Sequence, residues 1–152
     1  MTYEEAKREY DARISYQSGK YEGVRLENNT RLVKRSRNGY ECYAIKLHRT
    51  DVVILFPDGL VRLDTGGWFT YTTKDRINKY APGVGIVQSD FAWYINGGPK
   101  YGGISYQGAS SDYGPEGRYT PFSSNKVYVR DGEPVQFDSD GNENPVRDLQ
   151  PA

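Results

Sequence analysis

The chain has 152 residues with 20 Lys/Arg and 20 Asp/Glu, enough for one domain with its own core and too neutral for a strongly basic duplex-DNA binder. One cysteine, Cys42, and one histidine, His48, exclude an internal disulfide and a Cys/His zinc set, so neither a metal nor a cofactor is expected. The stretch MTYEEAKREY carries charges where a secretory signal needs an apolar run, and residues 52–56 are far short of a membrane span; a cytoplasmic protein without membrane contact is expected.

Residues 2–17 read as a helix: Thr2 and Glu5 fit a capping box, and Tyr3, Ala6, Tyr10 and Ile14 recur on one face. Gly19 ends it, and a short strand is expected within residues 21–26. Strands at 31–36 and 40–48 flank Arg37-Asn38-Gly39, where Asn-Gly suits a tight hairpin turn, and Tyr43, Ile45 and Leu47 share one strand face. Residues 51–56, apolar on both faces, predict a central strand covered on two sides. Pro57-Asp58-Gly59 reverses the chain into a strand at 60–64, and Thr65-Gly66-Gly67 turns it again into a third strand at 68–72. Phe56 and Trp68, both beside turns, are expected to anchor the core.

Thr72 or Thr73 caps a helix over 74–80 with Ile77 facing inward, and Pro82-Gly83 stops it. Residues 84–88 and 91–95 suggest a hairpin. Residues 97–117 hold seven glycines and two prolines interleaved with Tyr101, Tyr106 and Tyr113, a long loop of the kind that is functional or disordered. A last hairpin pairs 126–129 with 135–138, and residues 139–152 read as a polar acidic tail. The fold class is α+β: a single domain over 1–138, dominated by a twisted antiparallel sheet of six to eight strands with a β-rich core at 31–95, an N-terminal helix and a short central helix.

The block TDVVILFPDGLVRLDTGGWFTYTTKDRINKY at residues 50–80, followed by residues 83–94 and more loosely by Tyr119-Thr120-Pro121-Phe122, resembles a family of small bacteriophage-encoded proteins. These carry a similar strand, PDG turn, GGW turn and TTK.RIN.Y helix. The likeness covers about half of the chain and leaves out the glycine-rich segment and the tail. It implies phage origin and action in the host cytoplasm, and carries over no catalytic residue.

Leu63-Asp64-Thr65-Gly66 invites comparison with aspartic proteases, whose turns bring two carboxylates together. Arg62 and Gly67 depart from the usual context, so Asp64 is expected to accept hydrogen bonds from its own turn. His48 with Asp51 could form an acid–base pair, but no nucleophile stands near them in sequence. The bland alternative is a histidine at a strand end.

Residues 31–49 hold six Lys/Arg against Glu41 alone, and residues 131–148 hold six acids against Arg147. This polarity suits an anion-binding face, a contact between subunits of a homo-oligomer, or two solvated surfaces. The candidate ligand-binding residues are Arg31, Lys34, Arg35, Arg37, Tyr40 and Tyr43, cations beside rings that could stack, with Lys100, Tyr101 and Tyr106 as a lid. A charged, solvated sheet edge is the competing reading.

The expected function is non-enzymatic binding of an anionic nucleotide-like ligand, one use being sequestration of a host immune nucleotide signal. The alternatives are a single-stranded nucleic-acid-binding accessory protein and a module that binds a host or virion protein.

Overall fold

The computed structural model describes residues 1–37, 39–97, 100, 103–106 and 126–146. Helix α1 (Tyr3–Arg13) opens with the expected capping box: the Thr2 hydroxyl accepts from the Glu5 amide, and the Glu5 carboxylate accepts from the Thr2 amide. It ends earlier than the sequence suggests and tightens into a 3-10 turn, Ile14–Tyr16. Ala6 is fully buried, with Tyr3, Tyr10 and Ile14 packed beside it.

Eleven strands follow among the described residues: β1 (Val24–Glu27), β2 (Thr30–Arg37), β3 (Tyr40–Leu47), β4 (Thr50–Leu55), β5 (Leu60–Asp64), β6 (Ile86–Ser89), β7 (Ala92–Ile95), β8 (Ile104–Ser105), β9 (Lys126–Arg130), β10 (Glu133–Phe137) and β11 (Glu143–Pro145). Eight form one antiparallel sheet in the order β1-β2-β3-β4-β5-β9-β10-β11, and β6-β7-β8 form a small second sheet. The protein is therefore α+β and β-dominated, as the turn and strand pattern indicates.

The tight turns set the register. Arg37 pairs with Tyr40 across the Asn-Gly turn, and Gly59 at φ 95° lets the chain reverse after Pro57 while the Asp58 carboxylate accepts from the Leu60 amide. Gly23 is demanded by space: at φ 70°, a Cβ there would lie 2.1 Å from the Leu32 carbonyl oxygen.

Pairing places Leu32, Ile45, Val53, Leu63 and Val127 in one line across the sheet, and all belong to the main core. That face receives Ala6 of α1, Ile77 of α2 (Tyr71–Tyr80) and the apolar side chains of the small sheet. Each fully buried aliphatic side chain contributes about 1.5–3 kcal/mol by leaving water. The opposite face carries Val33, Cys42, Ala44 and Ile54 as a second buried cluster, with Phe56 against it. Strand β4 is thus buried on both faces, as its continuous apolar run predicts.

Three local readings are corrected. Residues 68–70 form no strand, because α2 begins at Tyr71 with the Thr70 hydroxyl accepting from the Thr73 amide; β9 takes the place beside β5. Residues 143–145, read as tail, form an edge strand on β10, followed by the fully buried Val146. Trp68 is 67% exposed and anchors no core, whereas Phe56 is partly buried against the second cluster.

Candidate functional site

The cation-rich hairpin β2–β3 does not present a single face. The pleat puts Arg31, Val33 and Arg35 on one side of β2 and Leu32 and Lys34 on the other. Tyr43 pairs with Lys34 and Cys42 with Arg35, so Tyr40 and Tyr43 also point to opposite sides.

Most of these cations already have partners. The Arg35 guanidinium donates to both Asp51 carboxylate oxygens at 3.1 Å and to Glu22 at 2.7 Å. Burial pushes Glu22 up, but hydrogen bonds from Lys46 and Arg35 outweigh it and hold the carboxyl below its ordinary range. Arg31 donates to the Glu22 and Gly23 carbonyls at 2.6 and 3.1 Å and lies over the Tyr21 ring. Lys34 pairs with Glu41 at 3.5 Å and lies over Tyr10. Arg37 ends β2, and Lys100 is exposed.

Among the proposed stacking rings, Tyr43 is fully buried between Tyr3 and Tyr10, with centroids 5.4 and 5.6 Å away, so it has no free face. Tyr106 is likewise buried, edge-on to Phe69 and Trp93; it is not a lid residue. Tyr40 is exposed, but in a different cleft. Tyr101 and most of the glycine-rich segment lie outside the described residues.

Asp64 behaves as its turn requires, accepting from the Gly66 amide at 2.8 Å. The Asp51 carboxylate accepts from Arg35 on both oxygens and makes no hydrogen bond or ion pair with His48, so the His48–Asp51 pair is not formed.

A different constellation lies at the end of the sheet where β3 turns into β4. Gly66, at φ 63°, sits against Thr50: a Cβ on it would come within 2.6 Å of the Thr50 hydroxyl. This contact seats the Gly66-Gly67 turn beside His48 and Arg49. The two aromatic residues after the turn then diverge. Phe69 packs on Trp93, centroids 4.9 Å apart, and on Tyr106, while Trp68 points outward. Thr70 next starts α2, and Arg76 donates to the Thr30 hydroxyl at 2.8 Å, fixing the helix against β2.

The result is a cleft of about 490 Å³ lined by His48, Arg49, Thr50, Trp68, Thr70 and Thr72 over a floor of Leu47, Val52, Thr65 and Thr73. A bulge contributes to that floor: Ile45 pairs with Val53 and Lys46 with Asp51, leaving Val52 as the extra residue, and both valines join the main core. Among the described residues no carboxylate lines the cleft. His48 and Arg49 are exposed, and their side chains make no hydrogen bond or ion pair among the described residues. The N-terminal end of α2 adds partial positive charge. One free ring, two nitrogenous side chains and several hydroxyls can hold an anionic, ring-bearing molecule; they supply no activated nucleophile.

The model of the family described as Kyanoviridae Gp96 protein matches residues 10–114, more than half of the chain. The chain belongs to this phage protein family. The Kyanoviridae Gp96 match takes in β1 through β8 and with them every residue of the Trp68 cleft. It also extends into the glycine-rich segment that the sequence resemblance left out. Neither the curated proteins nor the solved structures compared with the chain include a match. Among the described residues no helix is long and apolar enough to cross a membrane, and no group of His, Cys, Asp and Glu could hold a metal.

The sequence signals for this site were the double glycine before two consecutive aromatic residues and the run Thr70, Thr72, Thr73. Local propensity favoured a strand there.

Proposed function

We propose that this phage protein is a non-enzymatic binding protein for an anionic, nucleotide-like ligand, held in the Trp68 cleft. The observation that carries the reading is the exposed Trp68 ring lining the same cleft as His48 and Arg49, where among the described residues no carboxylate joins the lining and neither side chain has a partner. A base stacks on the indole, phosphate meets the cations and the α2 terminus, and the threonine hydroxyls serve sugar or phosphate oxygens.

The test is calorimetry with nucleoside mono- and diphosphates, cyclic nucleotides, the bare nucleoside and inorganic phosphate. Stacking is worth about 1–3 kcal/mol per base, so Trp68→Ala should weaken nucleotide binding by about tenfold or more. Arg49→Glu should weaken phosphate-bearing ligands and spare the nucleoside. If wild type binds none of them, or both variants bind like wild type, the reading fails.

One observation favours single-stranded nucleic acid as the second reading. His48 also lines a neighbouring cleft of about 460 Å³ in which Tyr21, Arg25, Arg31 and Lys46 stand beside Glu22 and Glu27, so ring and cation contacts continue beyond the first cleft, interrupted by two carboxylates of which Glu22 already holds Lys46. Oligonucleotides would then bind more tightly than mononucleotides, with a multi-charge salt dependence.

A further inference from the structure

A second aromatic cleft opens on the other face of the sheet, at the opposite end of β4. It holds about 480 Å³ and is lined by Tyr40, Phe56, Tyr128 and Phe137, with Asp58 and Leu60 at its side. The rings come from four different strands or strand ends, brought together by register. Tyr40 opens β3, Phe56 follows β4, Tyr128 pairs with Val135, and Phe137 stands two residues further along β10 on the same face. Tyr128 and Phe137 stand at 89° with centroids 5.4 Å apart, two adjoining walls of a box. Tyr40 is 64% exposed and Phe137 is 40% exposed, so both offer ring surface to a ligand.

The electrostatics here are opposite to those of the Trp68 cleft. Among the described residues Asp58 is the only charged one in the lining. Its carboxylate accepts from Arg130 at 3.2 Å, and Arg130 also donates to both Glu143 oxygens at 2.7 and 3.0 Å. One guanidinium between two carboxylates leaves the group with a net negative charge. Burial pushes Asp58 up, but the Leu60 amide and Arg130 outweigh it and keep the carboxyl ionised. The faces of the aromatic rings add negative potential of their own. A phosphate would be repelled; a strongly hydrated ammonium would lose water with few acceptors to replace it. A cation with a methylated, weakly hydrated surface suits both the ring faces and the charge.

We propose that this cleft is a binding site for a small quaternary ammonium cation of the choline type. The trimethylammonium group sits against Tyr40, Tyr128 and Phe137, with Asp58 as the nearby counter-charge. The site is separate from the Trp68 cleft, so either can fail without the other.

The experiment is an NMR or calorimetric titration of the full chain with choline, with tetramethylammonium, and with the uncharged isostere of choline in which a tert-butyl group replaces trimethylammonium. Choline is expected to bind at least about tenfold more tightly than the isostere, the order expected when a desolvated cation–π contact is lost. Tyr40→Ala should weaken choline by at least about fivefold on the same grounds, and Tyr40→Phe should retain it. Trp68→Ala should leave choline binding unchanged. Tyr40 is exposed, so its variants should melt like wild type; Phe137→Ala is the second variant should either not. Equal affinity for choline and the isostere overturns the proposal. So does absence of saturation into the hundred-millimolar range, or full choline affinity in Tyr40→Ala. A trimethyllysine peptide that binds where both free cations fail also overturns it, in favour of a protein partner.

Discussion

The β2–β3 hairpin and the Trp68 turn make opposite uses of the same residue types. The hairpin has the densest cations in the chain, yet Arg35 is held by Asp51 and Glu22, Lys46 by Glu22 and Lys34 by Glu41. At the turn, His48 and Arg49 have no side-chain partner among the described residues, and an indole stands open beside them. Charge density along a chain therefore says little about available charge. A cation that ties neighbouring elements together is already spent on that contact, and a ligand must displace a carboxylate to reach it. Substitutions in the hairpin should change stability, and substitutions at the turn should change binding.

The largest expected effect is Arg35→Glu. It removes a bidentate donor from Asp51, whose side chain is only 12% exposed, and sets a third carboxylate beside Glu22 and Asp51. Breaking a fully buried pair costs about 3–5 kcal/mol; partial exposure of Arg35 reduces this to about 2–3 kcal/mol. The matched substitution Arg49→Glu should change stability by no more than about 0.5 kcal/mol, because the side chain is exposed. Urea denaturation of the two variants measures the contrast directly. Equal, small losses would return Arg35 to the class of free surface charges.

How far the sequence foretold this division depends on which force decides each element. Turns with special backbone needs, such as Asn-Gly and Pro-Asp-Gly, and the Thr2/Glu5 capping box were legible because a few local atoms fix them. The start of α2 was not: Thr70, Thr72 and Thr73 can all cap, and only the folded contact between Phe69, Trp93 and Tyr106 selects Thr70. Strand β11 has weak propensity and exists through its pairing with β10. As for the site, strand parity already placed Tyr43 with Ile45 and Leu47 on a core-facing side, which conflicts with an exposed stacking role. The partners Glu22 and Asp51 come from separate elements and no spacing rule reveals them.

Tyr43 sharpens the comparison from the core side of the hairpin. Its hydroxyl is buried without a hydrogen-bond partner, and burial, reinforced by the Asp11 carboxylate, pushes the phenol up to about 12. An unsatisfied buried hydroxyl is a cost, so Tyr43→Phe should raise stability by about 1 kcal/mol. The pH dependence follows in sign. The folded state keeps the Tyr43 proton where the unfolded chain, titrating near pH 10, has lost it, so stability present below about pH 10 falls as pH rises towards about 12. Burial pushes Tyr80 and Tyr106 up as well, so Tyr43→Phe should reduce the alkaline loss without abolishing it. Denaturation midpoints at neutral and strongly alkaline pH test both statements. A variant less stable than wild type would mean that the hydroxyl has a partner.

The smallest stability effect is expected for one of the largest side chains. Tryptophan to alanine in a core costs about 3–5 kcal/mol, but Trp68 is 67% exposed and makes no ring contact among the described residues. Its neighbours hold the turn without it: the Gly66 amide donates to Asp64, the Gly67 amide to the Thr65 hydroxyl, and Phe69 is wedged against Trp93. The Trp68 amide donates to the Thr65 carbonyl at 2.9 Å, a bond that alanine keeps. Trp68→Ala should therefore shift stability by no more than about 0.5 kcal/mol. A loss of several kcal/mol would show the indole folded onto the cleft floor as a packing residue. The contrast between a structural hairpin and an open binding turn would then collapse, because the turn would also be held by its own side chains.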